Sequence, residues 1–186
     1  MRKLRCLSAL FPVLLFIGLW ICLLREASFS FLYREQHQLF LYDWDFFLSK
    51  LDKIGGLGEY LSEYLVQFFI SYQAGPLLTA LLMSLSAVFL SLGLRRLTKS
   101  PVIPLVGMIP ALMLALCCHD VYVLYSALVA FFFSSLLFLL LTLLPLALPW
   151  ALRPALECVL SVALYLSMGS SALPFTVLVL LYDLLL

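Results

Sequence analysis

The sequence predicts an all-α polytopic membrane protein with about six transmembrane helices, the last one incomplete, and two amphipathic helices in the first extracytoplasmic loop. Three observations carry this. Hydrophobic residues make up 65% of the chain and charged residues 11%, against roughly 25% charge in an ordinary soluble domain, so the bilayer is the solvent that suits it. Apolar runs recur near the length of about 20 residues that a spanning helix needs. Clusters of basic residues sit beside the ends of alternate runs, which is how cytoplasmic loops are marked.

Residues 1–24 form the first unit. Arg2, Lys3 and Arg5 precede an apolar run over 6–24. That run outlasts the roughly 7–15 residue core of a cleavable signal, and no small-x-small site follows it. The segment therefore reads as an uncleaved signal-anchor helix over 7–24. Residues 25–75 form a mixed loop, and residues 76–186 form a five-helix region truncated at its C-terminus. The spans expected there are 76–94, closed by Arg95, Arg96 and Lys99; 102–118, closed by His119 and Asp120; 121–148, interrupted by Pro145; 152–168, opened by Arg153; and 172–186. At about 1.5 Å per residue the last run falls short of a hydrocarbon core of about 30 Å, hence the expectation that the protein continues.

With the N-terminus in the cytoplasm, Arg2, Lys3, Arg5, Arg95, Arg96, Lys99 and Arg153 all face inward. Eight acids then face outward: Glu26, Glu35, Asp43, Asp45, Asp52, Glu59, Glu63 and Asp120, with His37 and His119 beside them. This places the chain in the inner (cytoplasmic) membrane, with the lipid bilayer as its constant partner. A net charge of +1 and the lack of a basic patch interleaved with aromatics exclude nucleic acid. The five cysteines form no CxxC pair and read as small hydrophobes.

The loop carries the composition of folded protein, being rich in Phe, Tyr and Leu. Phe40, Trp44, Phe47, Leu48 and Leu51 recur at helical spacing, with Asp45, Ser49, Asp52 and Lys53 roughly opposite. This predicts a helix lying on the membrane surface. Gly55, Gly56 and Gly58 break it. A second helix follows, with Leu57, Leu61, Tyr64 and Phe68 on one stripe and Glu59, Glu63 and Gln67 on another.

Candidate chemistry gathers in this loop. Asp43-Trp44-Asp45 is a D-x-D pair that could hold a divalent cation on a phosphate, but only if the stretch is extended or starts a helix, because residues two apart on a helix diverge by about 200°. A single acid acting as general base is the simpler expectation, with Asp45 ahead of Asp43. Glu35 with His37, Glu59 with Glu63, and His119 with Asp120 complete the polar cluster. The simpler reading of each is structural: loop hydration and headgroup contact for Glu35 and His37, a solvated helix face for Glu59 and Glu63, and a polar turn between two spans for His119 and Asp120. Glu157, four residues after Arg153, reads as a helical ion pair. Asp183 is an ionisable residue in an apolar run, a functional flag. The sequence specifies no cofactor, metal or oligomeric state, and it lacks a P-loop, G-x-S-x-G and H-E-x-x-H.

The stretches Glu35-Gln36-His37-Gln38-Leu39-Phe40, Gly55-Gly56-Leu57-Gly58-Glu59-Tyr60-Leu61 and Gln67-Phe68-Phe69 resemble a family of uncharacterised bacterial multi-pass membrane proteins, a domain of unknown function. The likeness is specific over about residues 34–75. It implies longer chains with more spans and assigns no active-site residue. The architecture, a first span followed by a long acidic outer loop, also looks like the start of polytopic glycosyltransferases that use lipid-linked sugars. That likeness implies an acid in the first outer loop as catalytic base, with Asp43 or Asp45 as the match; fold alone does not establish function. Two functions follow: a cell-envelope enzyme acting on a lipid-linked substrate at the outer face, or a non-catalytic scaffold or subunit of an envelope complex. Whether the protein is an enzyme stays open at this level.

Overall fold

A computed structural model describes residues 2–26, 28–97, 106–117, 120, 125–144 and 152–185. Among the described residues the ordered elements are helical. They are α1 (Arg2–Glu26), α2 (Ser28–His37), α3 (Trp44–Leu51), α4 (Gly56–Val66), α5 (Ala74–Leu97), α6 (Ile109–Cys117), α7 (Tyr125–Leu143), α8 (Leu152–Met168) and α9 (Leu173–Leu185), with 3-10 turns at Gln67–Ile70 and Gly169–Ala172.

Individual contacts fix the direction of each segment. Tyr72 Oη donates to the Leu24 carbonyl at 3.2 Å, so the end of α1 lies beside the start of α5. The Thr79 and Tyr125 hydroxyls are 3.2 Å apart, and Gly93, farther along α5, abuts Phe138, farther along α7. Helices α5 and α7 therefore run parallel. Gly107 packs on Ser91 near the end of α5, while the Asp120 carbonyl accepts a hydrogen bond from Arg34 at 2.8 Å. Arg34 sits beside Phe31, which touches Gly75 at the start of α5. The chain from 107 to 120 thus returns along α5. The Gly55 N–H donates to the Leu166 carbonyl near the end of α8, and Tyr182 near the end of α9 meets Phe138 at 6.3 Å. Segments alternate up and down. One end carries α2–α4, Asp120 and the Gly169 turn; the other carries Arg153 and Asp183.

Two helices, Ala74–Arg96 and Tyr125–Leu143, are each long and apolar enough to cross a membrane. A third joins them if Leu10–Glu26 and Phe29–His37, bent by 77° relative to each other, form one broken span. Among the described residues, two to three of the expected six spans are thus long and apolar enough. The sequence was counted by apolar run, whereas the chain interrupts several runs. Within the expected span 102–118 the described helix covers only 9 residues after a turn at Gly107 and Met108. Helix α8 has 17 residues and carries Arg153 and Glu157, and α9 has 13. At about 1.5 Å per residue, the described lengths of these three are shorter than about 30 Å.

Large apolar side chains such as Met83, Leu90, Leu128 and Phe138 fill the helix contacts together with many small ones. Buried positions on α5 include Thr79, Ala80, Ser84, Ser86, Ala87 and Ser91, and those on α7 include Ala130, Ser134 and Ser135. Leu81, Leu92, Leu140 and Leu143 face outward. Small residues let backbones approach, which is what membrane helix pairs require. Ser86, Ser135 and Thr142 satisfy their hydroxyls on carbonyls of their own helices at 2.7–2.8 Å, as buried hydroxyls in helices do.

The loop helices differ in detail from expectation. The first starts at Trp44, not near Phe40. In α4 the buried stripe is Gly58, Ser62 and Val66, packed on α7 and α8, while Tyr64 and Phe68 of the expected apolar stripe are exposed. Gly58 faces Met168, whose sulfur would lie 3.1 Å from an added Cβ. Gly55 and Gly169 both have positive φ, +83° and +72°, and meet back to back. A Cβ on Gly55 would lie 3.0 Å from the Gly169 Cα. Gly55→Ala should therefore cost about 1–2 kcal/mol from the left-handed backbone alone, with the backbone contact adding to it, and lower the melting temperature in detergent. Gly18→Ala, where nothing lies within 4 Å, should leave it unchanged or raise it; equal effects at both positions would contradict the docking of the two turns.

Candidate functional site at the capped end

The cap is organised by aromatic contacts and one lysine. Phe40 is buried and its ring packs on Tyr42, Phe46, Tyr60 and Tyr64 at centroid distances of 4.9, 5.8, 4.9 and 5.5 Å. Phe47 meets Tyr60 at 4.9 Å. These rings hold α3 against α4 and point Lys50 between them. Lys50 Nζ donates to Glu63 Oε1 at 2.6 Å and lies 3.7 Å from Glu59 Oε2. It also sits 5.3 Å from the centre of the Phe46 ring. The far carboxylate oxygen of Glu63 is buried with no hydrogen-bond partner among the described residues.

Glu59 and Glu63 do share a helix face, as their spacing requires, but Lys50 bridges them. Two like charges at i, i+4 repel, and the ammonium removes that repulsion. Sequence reasoning left Lys50 as an unassigned loop charge. Thirteen residues separate it from Glu63, so no helical spacing pointed to the pair.

The other candidates are placed as follows. Asp43 occupies the N-cap position of α3 with extended backbone, φ −131° and ψ 143°, and makes no side-chain cap hydrogen bond. Asp45 lies in the first turn, where the helix dipole favours a negative charge. Both are exposed, and the helix-start condition for the D-x-D pair is met. Glu35 is half-buried and His37 exposed at the end of α2, with the His37 ring edge-on to Tyr33 at 4.1 Å. Asp120 is exposed, and its backbone carbonyl receives the Arg34 guanidinium. His119 lies outside the described residues. Among the described residues, no group of three or more His, Cys, Asp and Glu is placed to hold a metal ion.

Arg34 is the functional-looking residue that the sequence did not single out. It is 2% exposed and links α2 to the segment before α7 across 86 positions. Its place in the sequence, between the aromatic stretch ending at Tyr33 and the polar Glu35-Gln36-His37-Gln38, carries no signal of this role. At the opposite end, Arg153 Nε pairs with Glu157 at 3.0 Å, as the i, i+4 spacing predicts. Asp183 approaches the same arginine at 3.9 Å, and the Tyr182 ring lies under the guanidinium at 4.5 Å.

An all-helical bundle with two to three helices fit to cross a membrane, small residues at its helix contacts and apolar side chains outside is consistent with a membrane protein. The chain belongs to a family of unknown function, DUF6057, whose model matches residues 2–186. The likeness carried by residues 34–75 thus extends over nearly the whole chain. No curated protein and no solved structure matches it.

The Lys50 bridge makes a quantitative expectation. Lys50→Met leaves Glu63 largely buried without its donor and should cost about 1–3 kcal/mol. Lys50→Met with Glu63→Leu should recover most of that loss in a double-mutant cycle read by thermal unfolding. Glu59→Gln, at the more exposed and longer contact, should cost under about 1 kcal/mol. Additive effects at Lys50 and Glu63 would show that the bridge does not hold the cap.

Proposed function

We propose that this chain is a multi-pass protein of the bacterial cytoplasmic membrane, N-terminus inside, that serves as a non-catalytic scaffold or subunit of a cell-envelope complex. The observation that carries this is the Lys50 bridge: the two carboxylates best arranged for shared chemistry, Glu59 and Glu63, are engaged in holding α3 to α4. The cap is docked on the bundle through Gly55, Gly58 and the Gly169 turn. The alternation of α6, α8 and α9 with α5 and α7 supports the reading that these shorter segments complete further crossings. Arg95, Arg96 and Arg153 at the end opposite the cap support an inward assignment for that end.

One observation favours a second reading, a glycosyltransferase-like enzyme acting on a lipid-linked substrate. Asp43 and Asp45 are exposed at the start of α3, with the exposed rings of Tyr42 and Trp44 beside them in the chain. An accessible carboxylate at that level could take a proton from an acceptor hydroxyl within about 2.6–3.2 Å. Asp45 would be the base and Asp43 its neighbour.

Reporter fusions decide the orientation: a fusion after Gly55 should be extracytoplasmic and one after Lys99 cytoplasmic, and the reverse pattern would overturn it. Complementation of a deletion strain decides between the functions. On the scaffold reading Asp45→Asn supports wild-type growth at normal protein abundance. Loss of complementation at unchanged abundance would transfer the assignment to the enzyme.

A further inference from the structure

Helix α3 presents three faces of different character. An α-helix turns about 100° per residue, so Phe46, Phe47 and Lys50 share one side, Asp45, Ser49 and Asp52 a second, and Trp44, Leu48 and Leu51 a third. The first side faces α4, through the Phe47–Tyr60 contact and the Lys50–Glu63 ion pair. The second is polar and exposed. The third is apolar and also exposed, with Trp44 at 68%, Leu48 at 43% and Leu51 at 45%. The faces lie roughly a third of a turn apart. Leu41, Tyr42 and Ile54 in the flanking chain are exposed as well.

A helix lying wholly in water has no use for the third face, and one sunk in hydrocarbon could not carry the second. Both are satisfied together where protein, lipid and water meet. We infer that the Trp44–Leu48–Leu51 face is a lipid contact, which seats α3 in the plane of the membrane boundary at the capped end of the bundle. The partner is the headgroup and upper acyl region of one leaflet, into which such a face sinks about 5–10 Å. The residue types fit that partner. Trp44 and Tyr42 pair an apolar ring with a polar tip, the side chains enriched at the membrane–water boundary. The face itself holds no charge, and its acids lie on the neighbouring side, where they stay in water. The face differs from the stripe drawn from sequence, because Phe40 and Phe47 are taken up by the aromatic cluster with α4.

The inference rests on the membrane reading, and fluorescence quenching separates the two. Trp20→Phe with Trp150→Phe leaves Trp44 as the single tryptophan in the full chain. In phosphatidylcholine vesicles, lipids carrying a nitroxide high on the acyl chain should quench Trp44 strongly, a nitroxide deep in the chain should quench it less, and aqueous iodide should have little effect. The control is Leu140→Trp, on the outer surface of α7, in a background with all three native tryptophans replaced by Phe. If the control is quenched by lipid and Trp44 only by iodide, the face is in water and this inference fails while the membrane reading stands. If neither quencher reaches Trp44 while lipid reaches the control, protein covers the face, and the lipid contact is again overturned. If lipid quenchers miss the control as well, both readings fall.

Discussion

Close approach of backbones at small residues is the constraint on which the structure depends. Lipid tails are as apolar as leucine, so burying leucine between helices yields little; contact area and short interhelical distances must supply the attraction instead. The chain meets this by placing Gly93 against Phe138, Gly107 against Ser91 and Gly58 against Met168. In each case the absent side chain is filled by a neighbour rather than by a void, which preserves dispersion contacts. The buried serines and threonines of α5 and α7 serve the same end. They are small, and those bonded to their own helix carbonyls leave no orphaned hydroxyl.

The cap inherits its position from that constraint. Helix α4 lies on α7 and α8 because its inner stripe is Gly58, Ser62 and Val66; a leucine stripe would hold it farther off. Once α4 is seated, the aromatic residues it turns outward, Tyr60 and Tyr64, make a surface on which Phe40, Phe46 and Phe47 can pack. Lys50 then reaches Glu63 without a long loop closure. The order of dependence runs from glycine, to helix seating, to ring cluster, to ion bridge. A charge pair alone would not hold this hairpin, since partly exposed pairs contribute little. Its geometry is set by the rings, and the lysine adds to the hold by supplying the donor that the largely buried Glu63 needs.

Much of this was legible in the sequence because it follows from local patterns. The apolar runs over 76–94 and 121–148 overlap the two helices fit to span, Gly55 and Gly56 mark the break between α3 and α4, and the spacing of Arg153 and Glu157 predicted their pair. What escaped depends on contacts between distant positions. The Gly58–Ser62–Val66 stripe was overlooked because a search for apolar periodicity discounts glycine and serine, although in a membrane protein those are the contact residues. Arg34 with Asp120 and Lys50 with Glu63 are paired by tertiary placement, and nothing in their local spacing announces it. Composition reports which segments are apolar and is blind to where turns cut them, as at Gly107 and Met108.

The two functional readings share one geometry. Helix α3 bears the Lys50 that ties it to α4, the Asp43 and Asp45 pair at its start, and the exposed apolar side between them in register. Because the ring cluster fixes the helix, Asp45 is held at a set position relative to the bundle whether or not it meets a substrate. A catalytic base needs such fixation, and a docking surface needs it equally, since a mobile cap would lose ordering entropy on binding. The rigidity of the cap is therefore no argument for either function. The distinguishing feature is charge: Glu59 and Glu63 are engaged by Lys50, and Asp43 and Asp45 have no cation placed against them by the contacts of this hairpin. At the start of α3 both carboxylates favour the helix through its dipole, and being exposed they are also open to a partner. Whatever the protein meets at this end, a cationic subunit surface on the scaffold reading or a hydroxyl acceptor on the enzymatic one, those two acids are among the exposed groups that can meet it.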